Sequence, residues 1–133
     1  MGTVLVVEDE LTQQLIIFKL LNKIGLHVIF ADDGIEGLEK VQTLCPDLVL
    51  LDIILPRMNG YEVCRRIKSD KKTQKIPVVI YSNKKEEWDL YWGIKQGADA
   101  YVSKLCRPQE LVNTVKTLLQ EHAQAALASN PCT

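Results

Sequence analysis

Excess positive charge is the first thing this chain lacks. Sixteen Lys and Arg stand against seventeen Asp and Glu in 133 residues, a net charge of -1. Nucleic-acid binders usually carry a basic surplus on one face, so the balance argues against one. Cysteine is sparse. Cys45, Cys64, Cys106 and Cys132 include no C-x-x-C pair, which supports neither a zinc site nor a thioredoxin-type motif. Free thiols in a reducing cytoplasm are the expectation. No apolar run approaches the roughly 18 residues of a membrane span. The opening "MGTVLVVEDE" has no charged n-region and no long apolar core, so no secretory signal is expected. Val6 stands where a myristoylation motif needs Ser or Thr. Internal repeats, linkers and low-complexity segments are also missing. The 47% hydrophobic and 25% charged residues that remain suit one soluble globular domain, placed at 1–128 with a C-terminal tail at 129–133.

Short β-branched runs alternate with helical patterns. Strands are expected at 3–7, 27–31, 47–52, 76–82 and 99–103, and helices at 11–24, 34–44, 59–69, 86–96 and 108–127. Gly25 and Gly97 close two of these helices, and Pro108 suits a first helical turn. Asn59 and Glu62 have the spacing of a capping box. Five βα units with continuous apolar strands imply an α/β fold, a parallel sheet covered on both faces.

Ligands of such sheets bind beyond the carboxyl ends of the strands, so the polar residues there are informative. Strand 1 ends in Glu8, Asp9 and Glu10, strand 3 in Asp52, strand 4 in Ser82 and Asn83, and strand 5 in Ser103 and Lys104. Asp52 closes the run "LVLLD" and is followed by Ile53, Ile54 and Leu55, a costly place for an unpaired carboxylate. Converging carboxylates repel unless a cation lies among them, and hard oxygen donors suit Mg2+ or Mn2+. A lysine and a hydroxyl on the same rim suit a phosphoryl group, toward which a carboxylate can act as nucleophile. The alternative is that each acid merely caps a helix, as Asp9 could for helix 1.

The segments "VLVVEDE", "LLDIILPRMNGYEV", "PVVIYSNK" and "GADAYVSK", in that order over roughly residues 3 to 120, resemble the receiver domain of bacterial response regulators, the CheY-like family. The resemblance implies a flavodoxin-like doubly wound (βα)5 fold with strand order 2-1-3-4-5. It also implies a two-component phosphorelay switch in which Asp52 is the phosphoacceptor. Glu8, Asp9, Asp52 and the backbone carbonyl of Ile54 would hold Mg2+ or Mn2+, Lys104 would pair with the phosphoryl group, and Ser82 and Tyr101 would be the hydroxyl and aromatic switch residues. The phosphodonor would be a histidine kinase or histidine phosphotransfer protein. A downstream protein target would meet the face made by the predicted fourth helix, fifth strand and fifth helix.

Departures from the family pattern carry expectations of their own. Glu8 replaces the commoner Asp and lengthens one metal arm. Leu105 replaces a proline whose peptide is cis in the family, so the loop "KLCRP" is either trans and rearranged, or strained. Arg107 stands where a short polar cap is wanted. Ile54 flanks the path of an attacking water, which implies slow loss of the phosphoryl group.

No effector domain is read after the fifth unit, so output is expected through protein contacts, by a monomer or weak homodimer. Trp88, Tyr91, Trp92 and Lys95 share helical spacing and form a candidate partner surface, with Gly93, Ile94 and Ala98 on the packed side. Helix 1 is unusually apolar, and its surplus could dock a histidine kinase, a phosphotransfer domain or a second copy. Two other functions compete with the phosphorelay switch. A haloacid-dehalogenase-type phosphatase needs a second Asp where Ile54 stands. A pseudo-receiver working without phosphorylation is disfavoured by the complete acid, hydroxyl and lysine set.

Overall fold

Five apolar segments lie side by side as β1 (Thr3–Val7), β2 (His27–Ala31), β3 (Leu48–Leu51), β4 (Val78–Ser82) and β5 (Ala100–Ser103). The computed structural model describes residues 2–83 and 94–128. All pairings are parallel and the order is β2-β1-β3-β4-β5, as expected. Among the described residues the helices are α1 (Leu11–Lys23), α2 (Gly34–Leu44), α3 (Gly60–Ser69) and α4 (Pro108–Ala128). Of the helix expected at 86–96, only residues 94–96 are described.

Burial follows strand order. β3 and β4 are buried along their whole lengths, whereas the edge strands β2 and β5 are mostly half-buried. Alternate side chains face opposite layers, the period of two that a strand imposes. Val4, Val6, Leu48, Leu50 and Val79 meet Ile17 and Leu21 of α1 and Leu111 and Val115 of α4. Leu5, Val7, Val49, Leu51 and Val78 meet Val41 of α2 and Val63, Cys64 and Ile67 of α3. Each fully buried side chain of this kind contributes about 1.5–3 kcal/mol of transfer energy.

Ladder chemistry trims the predicted ends. β4 starts at Val78 rather than residue 76 because Pro77 has no N–H to give; its carbonyl still accepts from Val49 N at 2.9 Å. At the start of α3 the Asn59 side chain accepts from Glu62 N at 3.0 Å, the cap that the spacing predicts. The alternative reading of Asp9 as a helix cap fails at α1. Its cap is Glu10, no side chain bonds the first turn, and Asp9 is exposed rather than capping.

Candidate functional site

Backbone bonds carry the ladder one residue past three strand ends and so set the site. Glu8 N donates to Ala31 O at 3.0 Å, Asp52 N to Val7 O at 3.1 Å, and Lys104 N to Ser82 O at 2.9 Å. The side chains of Glu8, Asp52 and Lys104 therefore leave the ends of β1, β3 and β5 at one rim. The described residues hold four buried polar or charged residues, Glu8, Asp52, Thr73 and Ser82. Thr73 donates to Ile67 O at 2.8 Å and belongs to a turn. The other three lie at the carboxyl ends of β1, β3 and β4.

Lys104 Nζ lies 2.6 Å from Glu8 Oε1 and 3.1 Å from Asp52 Oδ2, with all three side chains no more than 11% exposed. Glu10 N donates to Glu8 Oε2 at 3.2 Å and Ile53 N to Asp52 Oδ1 at 2.7 Å. The ring of Tyr81 sits 5.9 Å from the Lys104 ammonium, within cation–π reach. Burial pushes the Glu8 carboxyl above the ordinary carboxylate range, and the nearby Asp52 charge adds to that push, against the downward pull of Lys104. Burial also works to lower Lys104, but its bond to Glu8 and the charge of Asp52 outweigh this, so the ammonium is held above the ordinary lysine value.

One carboxylate oxygen from each of Glu8, Asp9 and Asp52 lies within 4.8 Å of the other two. Three hard oxygen donors at that spacing, with Asp9 exposed, fit a divalent cation that keeps some of its waters. Both oxygens of Glu8 and both of Asp52 already accept hydrogen bonds, so exposed Asp9 is the freer donor.

The remaining predicted residues fall as follows. Ser82 is buried, and Tyr101 is half-buried in β5 opposite Ile80. The Ile54 side chain is 65% exposed beside the rim. Trp88, Tyr91 and Trp92 lie outside the described residues; Lys95 is exposed. Ala98 packs on the core, but Ile94, expected on the packed side, is exposed because it sits in the last helical turn before Gly97. The peptide before Leu105 is trans, and the loop is rearranged into a turn. Cys106 N donates to Ser103 O at 3.0 Å, Leu105 N to Ser103 Oγ at 3.1 Å, and Leu105 points outward. Arg107 contributes only its carbonyl, to Glu110 N at 2.9 Å, and α4 starts without a short polar cap there. The surplus of α1 is real: Leu11, Leu15, Ile16 and Phe18 are exposed.

Several rim residues escape local pattern reading. Gln14 Nε2 donates to Glu8 O at 2.6 Å and to Asp32 Oδ1 at 2.9 Å, tying α1 to the end of β2. Asp33 caps α2 by accepting from Glu36 N at 2.7 Å and also pairs with Arg57 at 3.0 Å. The doublet "DD" after β2 was the signal available for these. Gly60 is required by close approach: a Cβ there would lie 2.1 Å from Asp52 O.

Residues 4–116 match the model of the response regulator receiver domain. The chain is 34% identical over 119 residues to Protein PilH of Pseudomonas aeruginosa, covering 90% of this chain and 98% of that protein. It is 37% identical over 126 residues to the alkaline phosphatase synthesis transcriptional regulatory protein PhoP of Bacillus subtilis, covering 95% of this chain and 52% of PhoP. It thus spans nearly all of the first relative and about half of the second. Among solved structures, a putative response regulator from Chloroflexus aurantiacus superposes with TM-score 0.86 at 30% identity, over 90% of this chain and 98% of that one. A CheY-like receiver domain protein from Methanospirillum hungatei does so with TM-score 0.86 at 25% identity, over 94% and 98%. No helix among the described residues is long and apolar enough to cross a membrane. The chain belongs to the response regulator receiver-domain family of two-component signalling.

Proposed function

We propose that this receiver is a phosphorylation-dependent switch whose phosphoacceptor is Asp52. A carboxylate oxygen of Asp52 attacks the phosphorus of a phosphohistidine on a histidine kinase or histidine phosphotransfer protein. The new O–P bond replaces the P–N bond, and the imidazole leaves with its electron pair and takes up a proton. Glu8, Asp9, Asp52 and the Ile54 carbonyl would hold Mg2+ or Mn2+, Glu8 through water because its two oxygens accept from Lys104 and Glu10 N, while Asp52 would exchange its Lys104 contact for the ion. Such an ion, when bound, offsets charge on the phosphoryl oxygens. The supporting observation is Lys104, whose ammonium already lies against Asp52 and Glu8.

Phosphorylation exchanges one carboxylate charge for a group of about -2 with several acceptor oxygens. Lys104 shifts toward that group, and the Ser82 hydroxyl donates to it. Tyr101 turns into the space behind Ser82. A new bond to a charged group contributes about 1.5–3 kcal/mol, so the Ser82 bond supplies part of the ~5.5 kcal/mol that carries a population from 1:99 to 99:1, and the stronger pull of the phosphoryl charge on Lys104 adds to it.

The exposed apolar face of α1 (Leu11, Leu15, Ile16, Phe18) offers the phosphodonor a docking surface near the rim. Output goes to a protein target through the β5–α4 face, with Trp88, Tyr91, Trp92 and Lys95 as the candidate contact residues. The receiver domain, placed at 1–128, works in the cytoplasm as a monomer or weak homodimer. It touches neither nucleic acid nor membrane and catalyses only its own phosphorylation and dephosphorylation. Incubation with acetyl phosphate and Mg2+ followed by intact mass tests the reading: an adduct of about 80 Da supports it. No adduct, or one that survives Asp52→Ala, removes it.

A further inference from the structure

Ile54 sits in the loop from Ile53 to Asn59, which Ile53, Leu55 and Met58 pin to the core while its outer positions lie in solvent. Ile54, Pro56 and Arg57 are all exposed. Its inner side is held by Gly60 N donating to Ile53 O at 2.8 Å. Its outer side rests on the turn after β2, where Gly34 N donates to Pro56 O at 3.3 Å and a Cβ on Gly34 would lie 2.0 Å from Met58 O. Between these contacts stands Arg57, a non-glycine residue in the left-handed region at φ 68. That conformation is uncommon for a long side chain and persists only where surroundings hold it. Two contacts hold it: Met58 N donates to Pro56 O at 2.8 Å, closing a tight turn on Arg57, and the Arg57 side chain is tied down by Asp33. One of its oxygens accepts from Glu36 N at 2.7 Å and so is anchored to α2, and the other pairs with Arg57 Nη1 at 3.0 Å.

We propose that the Arg57–Asp33 pair is a latch that positions the Ile54 carbonyl for the divalent cation. Arg57 and Asp33 are positioning residues; neither touches the metal or the phosphoryl group. The inference rests on the metal site proposed above. Through-space electrostatics makes a different prediction, and the sign separates the two. Removing an acid near the rim should weaken cation binding, and removing a base should tighten it. The latch requires that removing either partner weakens it.

The test is calorimetric titration of the unphosphorylated protein with Mg2+ alone. Asp33→Asn keeps an oxygen for the α2 cap but loses the charge. Arg57→Asn keeps a residue tolerant of left-handed backbone and loses the guanidinium. An exposed ion pair of this kind is a modest contributor, so each variant should weaken Mg2+ binding by about two- to five-fold. The double variant should be no weaker than the worse single, and thermal midpoints should stay near wild type. Unchanged or tighter Mg2+ binding by Arg57→Asn overturns the latch. A wild-type protein that binds no Mg2+ overturns the metal-site reading itself, and the latch with it.

Discussion

Replacing Lys104 with Met removes the cation that bridges two buried carboxylates while keeping most of the side-chain volume. Lys104, Glu8 and Asp52 are 8%, 2% and 11% exposed, so water cannot fully take the place of the ammonium. Breaking a buried pair by removing one partner costs about 3–5 kcal/mol when the stranded charge stays ionised. Glu8 has an escape, because its carboxyl is already pushed up by burial and can take a proton. The pH dependence follows from the signs. Lys104 has a raised pKa, so its contribution is full below lysine's ordinary value of 10.5 and is lost only as pH climbs through the higher folded value. It is therefore constant across neutral pH. Glu8 is also raised, which for a carboxyl means that the folded state keeps its proton to higher pH than the unfolded state. Stability then falls as pH rises from the ordinary 4.5 through the folded value. Without Lys104, Glu8 rises further and that decline lengthens, with a slope of up to about 1.4 kcal/mol per pH unit. The Lys104→Met variant should thus melt only slightly below wild type at about pH 5, and roughly 10–15 °C below it at about pH 8, in EDTA. Added Mg2+ should recover more of the midpoint in the variant than in wild type, since it supplies the missing positive charge. Circular dichroism melts at the two pH values decide the matter. An equal loss at both, or no loss at the higher, refutes the ion trio as described.

Other outcomes follow from single residues. Gly60→Ala puts a methyl against the Asp52 carbonyl and should cost about 1–3 kcal/mol or more in urea unfolding, with slower phosphorylation as the loop after Asp52 shifts. The Cys64 thiol, fully buried and pushed up to about 12, should resist thiol reagents in the native state and react only on unfolding, while half-buried Cys45 reacts sooner. Rapid native labelling of Cys64 would contradict its burial. Ile54→Asn should shorten the lifetime of phosphorylated protein in Mg2+, because a polar side chain beside the rim can orient water that an exposed isoleucine cannot; an unchanged lifetime removes the shielding role.

Much of the molecule was legible because each strand has a distinct chemistry. "VLVV", "LVLL" and "VVIYS" can only be buried between layers, and their polar ends must then share a rim. The strand order came from family resemblance, since nothing local tells β2 from β5 as an edge. Lys104 meets Glu8 from 96 residues away, a contact that topology implies and no short window contains. The contacts that bind loop to loop were not legible. Arg57 reads as an ordinary surface arginine in "LPRMNG", and only the backbone reveals its positive φ and its bond to Asp33. Gln14 reads as a polar residue of α1, although it reaches both Glu8 O and Asp32. Tyr81 reads as one more strand aromatic, and its place beside the ammonium depends on how Lys104 folds back over β4. The loop at Leu105 is compatible, in sequence, with two conformations. The trans peptide there still delivers Lys104 to the acids, because the bond from Lys104 N to Ser82 O sets the direction before the loop begins.

The central claim is that Asp52 itself carries the phosphoryl group. An acyl phosphate is reduced by borohydride to an alcohol, whereas a free carboxylate is not. Protein treated with acetyl phosphate and Mg2+, then with borohydride, should therefore yield homoserine at position 52 on peptide sequencing. That product should disappear with EDTA. Unaltered aspartate at 52, or conversion at Asp9 instead, would contradict the account.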